Sequence, residues 1–377
     1  MENNNAIKTE CRGALGDVEG IFSALDTEHA GHGTRWTTDA GASFRRSRTT
    51  GLVIVRQLKK ASTRVRHAAK SGNPHPIATR RGLLLASIAL PALQVRGAVS
   101  PVLSNTATTA GARALLDDSA AAHGLGALGK IRDVNRRTSG EWRAVVGTPR
   151  PALVDAGFRV GSEERILPHE GIIAQAHTGA SGRKQVFRRS APGMQGNLRV
   201  WFNGQEARDE ERRDAAALVA DSYSLFLFGP MLLARYSGTG RSLVTERAGV
   251  EILTLDGRHH ECDVLRACIA PGMGFSEGEQ LALFIDRDER LMRRVRFTLN
   301  GLESTRGAVA EVDMFDHITR LGVRWPTRFH ERLLRPLPLP VHDWRLTGLD
   351  LNRDLTSADI SGEVFAGKAA APATALT

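Results

Sequence analysis

Three short stretches of the chain hold residue types at spacings that could do chemistry. The first is GLGALGK, residues 124–130, which matches G-x-G-x-x-G through Gly124, Gly126 and Gly129 and adds Lys130. A phosphate-cradling loop needs a strand before it, a helix after it, and Ser or Thr following the lysine. Here an Ala-rich helical stretch precedes and Ile131 follows, so the glycines read as a helix-ending turn. The second is GFSEG, residues 274–278, with the G-x-S-x-G spacing of a nucleophile elbow around Ser276. An elbow sits between a strand and a helix. APGM precedes this one and the strand-like LALFID follows, which reads as a hairpin loop. His317, His330 or His342, with Asp313 or Asp316 as orienter, are the groups that a serine hydrolase would have to recruit. The third stretch, HHECDVLRAC, offers His259, His260, Cys262 and Cys268. Strand alternation sends His259 and His260 to opposite faces, and no second ligand cluster stands at zinc-site spacing. The expectation is no catalytic constellation, no metal and no cofactor.

Cys262 and Cys268 fall within one strand-like run, six residues or roughly 20 Å apart, beyond disulfide reach. They read as two reduced, packed thiols. The net charge of +10 is unevenly placed: residues 51–100 carry nine Lys and Arg and no acid, whereas residues 101–377 carry 36 basic and 34 acidic groups. The body of the chain is close to neutral, so the charge does not indicate nucleic-acid binding.

The basic segment leads into ATRRGLLLASIALPAL, residues 78–93. Thr79-Arg80-Arg81-Gly82-Leu83-Leu84 resembles a twin-arginine export signal, with Leu83 in place of the usual Phe and Leu85 in place of the Lys. The apolar run is about eleven residues long and contains Pro91, which suits a signal and falls short of the ~20 residues that span a bilayer. Residues 65–100 are therefore read as an export signal, with cleavage between about 97 and 110. Residues 1–64 lack an apolar period and read as disordered, or as an over-extended start, since no Met lies between Met1 and Met194 and Val55 or Val65 would serve as the first residue.

After a linker at 101–110, GARALLDDSAAAH has helical spacing and should stop near Gly124. Most of the rest is strand text broken by Asn203-Gly204, Asp256-Gly257 and Asn300-Gly301, an antiparallel meander of about ten strands with no βαβ rhythm. Alternation puts Leu198, Val200 and Phe202 on one face and Arg199, Trp201 and Asn203 on a wet one; Val295, Phe297 and Leu299 likewise share a face. DEERRDAAALVADSYSLFLFG, ended by Gly229-Pro230, is a helix apolar on most sides and should be buried against the concave side of the sheet.

This order of elements, closing on LDGRHHECDVL and LALFIDRDERLMRRVRF, resembles the outer-membrane lipoprotein-sorting (LolA-like) superfamily over residues 111–365, with 366–377 as a flexible tail. The resemblance implies a mainly β (α+β) fold: an antiparallel unclosed β-barrel with a helical lid and an apolar cavity that shields acyl chains. No Cys ends the apolar run, so the mature chain is expected to carry no lipid anchor.

The expected protein is a soluble, monomeric, non-enzymatic periplasmic binding protein for acyl chains or another hydrophobic ligand. It would serve lipid or lipoprotein trafficking to the envelope, with envelope proteins as further partners, and would not span the membrane after cleavage. Leu198, Val200, Phe202, Ile252, Leu283, Val295, Phe297 and Leu299 are expected to line the concave face, with Val219, Leu225 and Phe226 of the helix covering it. An exported hydrolase using Ser276 and a structural envelope module are the alternatives.

Overall fold

The computed structural model describes residues 105–143, 151–190, 197–236 and 242–376; the export signal and the stretch before it lie outside the described residues. The first helix, α1 (Asn105–His123), begins inside the expected linker and ends where expected. It buries Ala112, Leu115, Leu116 and Ala120. Gly124 stops it at φ 97°, and a Cβ there would meet the Gly322 carbonyl oxygen at 2.3 Å. The short α2 (Leu125–Leu128) follows, so GLGALGK is a helix-to-helix turn.

The chain then runs through β1 (Val134–Trp142), α3 (Pro151–Val154), β2 (Gly161–Leu167), β3 (Ile172–Gly179), β4 (Gly182–Arg189), β5 (Leu198–Phe202) and β6 (Gln205–Glu206). The long helix α4 (Glu210–Ala234) comes next. After it come β7 (Ser242–Leu255), β8 (Arg258–Ala270), β9 (Glu279–Asp286), β10 (Met292–Thr298), β11 (Val309–Phe315), the β12 (Ile318–Arg320) and β13 (Val323–Trp325) hairpin, β14 (Arg328–Arg335) and β15 (Leu339–Leu351). One sheet of 13 strands has the order β6-β5-β4-β3-β2-β1-β15-β14-β11-β10-β9-β8-β7, antiparallel and not closed. The strands before α4 step outward to one edge. Those after it start at the other edge and step back until β15 pairs with β1.

Helix α4 carries the chain between the two edges. Asp209 caps it by accepting from the Arg212 amide at 2.8 Å, and Glu210 and Glu211 complement the positive end of the dipole. It is long and apolar enough to cross a membrane by length and composition, yet 83% of that window is buried inside this fold. The helix breaks at Gly229-Pro230, as expected: Gly229 takes φ 45°, ψ −124°, outside helical values, and a further helical turn after this kink carries the chain to Ala234. Asp221 fastens it to both halves of the sheet, pairing with Arg188 of β4 at 3.0 Å and accepting from the Gly274 amide at 2.9 Å.

Three further expectations need correcting. Trp201 is not on a wet face: with Ile172, Ala174 and Phe187 it packs under Leu355, Ile360 and Ala369 of the C-terminal stretch. Residues 366–376 are accordingly docked and not a free tail; the Leu349 amide donates to Thr374 O at 3.0 Å. Ile252 pairs with Glu261 on the inward parity, yet it lies near the tip of the β7–β8 hairpin, outside the core and 70% exposed. A bulge between Arg247 and Val250, with Gly249 at φ 106°, inserts one residue and reverses the alternation, so Leu253 and Leu255 pack on the outer side against Val264 and Phe284. Cys262 is free and buried.

Candidate functional site

Register assigns each inward side chain, and the concave side of the sheet divides into two chemically different halves. On β8 to β11 the inward residues are apolar: Leu265, Ala267, Leu281, Leu283, Val295, Phe297, Ala310 and Val312 are buried in one core with α4. Val200, Leu198, Val219, Leu225, Phe226 and Leu299 belong to the same core, and Phe202 packs at its margin. Phe226 and Phe297 meet with ring centroids 5.4 Å apart. The greasy face is thus largely filled by the helix.

A cavity of about 220 Å³ remains where α4 passes the β2–β3 hairpin. Its walls are Leu128, Ile166, Ile173, Leu225, Phe228, Leu232, Ile269 and Met273, with Asp221, Ser190, His169, Glu170 and Arg235 as polar lining. Of the residues expected to bind ligand, Leu225 lines this cavity. The volume lies just under the ~300–1,000 Å³ of ordinary ligand pockets, which suits the end of one chain and not a whole lipid.

On β1 to β4 a set of polar residues shares the inward face with Val134, Ile166, Ile173 and Val186, which the sequence reading missed. Arg136, Glu164, Gln175, His177 and Lys184 occupy the positions that alternation reserves for a core. They are buried and mostly satisfy one another. The Arg136 guanidinium bonds Glu164, whose other oxygen accepts from Gln175 Nε2 at 2.7 Å. Lys184 Nζ meets Asp155 at 2.6 Å, and Ser162 Oγ lies 2.7 Å from His177 Nδ1.

Tyr223 of α4 stands at the centre of this half. Its hydroxyl accepts from Arg159 Nη2 at 2.7 Å and lies 3.3 Å from His342 Nδ1, and its ring stacks on Trp344 at 5.3 Å. An aromatic ladder runs beside it, Trp142 to His342 at 4.0 Å, His342 to Trp344 at 4.6 Å and Trp344 to Phe329 at 4.8 Å. Burial, reinforced by nearby Arg159, holds His177 and His342 well below the usual imidazole range, so both are neutral. Burial also pushes the Glu331 carboxyl up to about 7 against the pull of Arg159. Shifts of this kind gather at functional sites. The only available signal was the set of charged residues at inward parity on four neighbouring strands.

Ser276 lies in the β8–β9 loop, where its hydroxyl bonds Gly278 O and Glu279 Oε2, each at 3.2 Å. Of the histidines weighed as its base, His342 is engaged on Tyr223 and His330 on Asp343, the latter at 2.5 Å, while His317 packs edge-on to the His123 ring at 6.1 Å with neither of its nitrogens hydrogen-bonded. His260 pairs with Asp286 at 2.8 Å and His259 with Thr254 at 3.1 Å. Among the described residues no His, Cys, Asp and Glu group has metal-site geometry.

These elements form one unclosed antiparallel sheet wrapped around one kinked helix. No family model matches the chain, and no curated protein matches it. Among solved structures it is similar to a DUF1329 family protein from Desulfovibrio piger, at 10% identity and TM-score 0.39 over 67% of this chain and 97% of that one. It is also similar to a LolA superfamily protein from Nitrosomonas europaea, at 13% identity and TM-score 0.37 over 66% and 96%. A third is the lipoprotein LppX of Mycobacterium tuberculosis, at 11% identity and TM-score 0.23 over 64% and 97%. At these values no residue role is carried across.

Proposed function

We propose that the chain is an exported, soluble, non-enzymatic binding protein that shelters an acyl chain or another hydrophobic segment in the periplasm, in lipid or lipoprotein trafficking to the envelope. The observation that carries this reading is the cavity between α4 and the β2–β3 hairpin, walled by aliphatic and aromatic side chains. Removing apolar surface from water supplies the affinity, ~0.8 kcal/mol per buried CH₂. The export signal expected at residues 65–100 supports the location, and the near-neutral body suits a soluble carrier.

Lipid mass spectrometry on solvent extracts of the protein, produced with its own leader and purified from the periplasm, tests the reading. A near-stoichiometric hydrophobic species is expected. Folded, exported protein that comes out empty overturns it.

A further inference from the structure

Three interior cations have a carboxylate partner: Arg136 has Glu164, Lys184 has Asp155 and Arg188 has Asp221. Arg159 has none among the described residues. It is 4% exposed, donates to Leu153 O at 3.4 Å and to Tyr223 Oη at 2.7 Å, and lies 4.3 Å from the Trp142 ring centroid. A buried guanidinium with no counter-charge is strongly unfavourable by itself. The acid that feels it, Glu331, makes no ion pair with it, and burial raises its carboxyl to about 7.

Donors without acceptors stand around the same tyrosine. Arg136 Nη2, Trp142 Nε1 and Trp344 Nε1 are buried with no hydrogen-bond partner, against one orphan acceptor, Gln175 Oε1. The guanidinium carbons of Arg136 and Arg159 lie 5.9 and 5.3 Å from the Tyr223 ring centroid, and the Trp344 ring lies 5.3 Å from it. Native interiors satisfy nearly all buried donors through protein, water or ligand, so these three call for partners beyond the side chains around them.

We propose that the polar half of the barrel, around Tyr223, is a binding site for the monoanionic oxyanion end of an amphiphile, held by Arg159 with Arg136, Trp142 and Trp344 as further donors. One unbalanced interior cation calls for one negative charge, which a carboxylate or a phosphodiester supplies and a phosphomonoester dianion exceeds. Ile166 and Ile173 of the apolar cavity stand two residues along β2 and β3 from Glu164 and Gln175, so at ~3.3 Å per residue the polar and apolar sites are neighbours. The inference deepens the proposed binding role, since it names the ligand's polar end.

The experiment compares laurate, dodecanol and lauroyl lysophosphatidylglycerol on the delipidated full chain by calorimetry, with tryptophan fluorescence as a second readout. Laurate or the phosphodiester is expected to bind about tenfold or more tighter than dodecanol, the ratio one charge-assisted hydrogen bond sets. Whichever anion binds tighter identifies the head. Arg159→Met should remove the preference while dodecanol binding persists, and Arg159→Lys should restore part of it. Equal binding of all three probes overturns the anion site and leaves the hydrophobic role standing, and this comparison needs no variant to fold. Binding of none overturns both.

Discussion

Lys184 and Asp155 form an ion pair inside the barrel, 2.6 Å apart, with both side chains buried. Burial brings the ammonium down to about 8, with Asp155 opposing the shift. Lys184→Met would strand a buried carboxylate and should cost about 3–5 kcal/mol in urea denaturation. Adding Asp155→Asn should recover much of that loss, and asparagine suits the positive φ of 46° at this position. A double variant as unstable as the single one would show that the two charges are not coupled.

Stability should fall as pH rises from about 4.5 to 8. Burial pushes the fully buried Glu279 up to about 8, although Thr298, the Asn300 amide and Ser276 bond its carboxyl. Across that window the folded chain keeps a proton that the unfolded chain has lost, so protonation favours the fold and the advantage is gone above about 8. The size is on the order of 3–5 kcal/mol. Glu331 acts in the same direction up to about 7. Thermal melts across pH should show the decline, and Glu279→Gln should flatten most of it; an unchanged slope in that variant refutes the assignment.

Gly229→Ala should destabilise by about 1–3 kcal/mol, because φ 45°, ψ −124° is open almost only to glycine and a Cβ would meet Met292 Cε at 2.8 Å. Gly126→Ala is the control: a Cβ there has nothing within 4 Å, and helix propensity favours alanine. Equal melting shifts in the two variants would mean that the kink is unstrained.

Leu225→Trp should fill the cavity beside α4 and cut retention of a hydrophobic probe with little change in melting temperature. Phe297→Ala, 1% exposed and packed on Phe226, should instead cost about 3–5 kcal/mol. If the two variants lose ligand and stability in parallel, cavity and core are one unit.

Much of the architecture was legible because period-two alternation is a strong signal where one face is apolar. Val295 and Phe297 face inward as read, and α1 ends at Gly124 as read. Alternation failed where both faces are buried. In β3, Ile172 and Ala174 lie under the C-terminal stretch while Ile173, Gln175 and His177 face the interior, so apolar residues stand on both sides of that strand and polar ones on the inside. Arg136, Glu164 and Lys184 were invisible as a site because each is stabilised by a partner on another element. Ile252 shares the inward parity of Leu265 but stands near the tip of the β7–β8 hairpin, beyond the reach of the core.

The pairing of β1 with β15 joins the first and last strands of the sheet at its middle. High contact order of this kind slows folding, since loop closure across most of the chain precedes the contacts that reward it. As the nascent chain leaves the ribosome, β1 to β6 can zip up by local hairpins, but the inner edge of β1 stays open as a template for aberrant pairing until β15 has been synthesised. The burden of chaperoning therefore falls on that single seam, and truncation anywhere before residue 351 should leave a half-sheet prone to self-association.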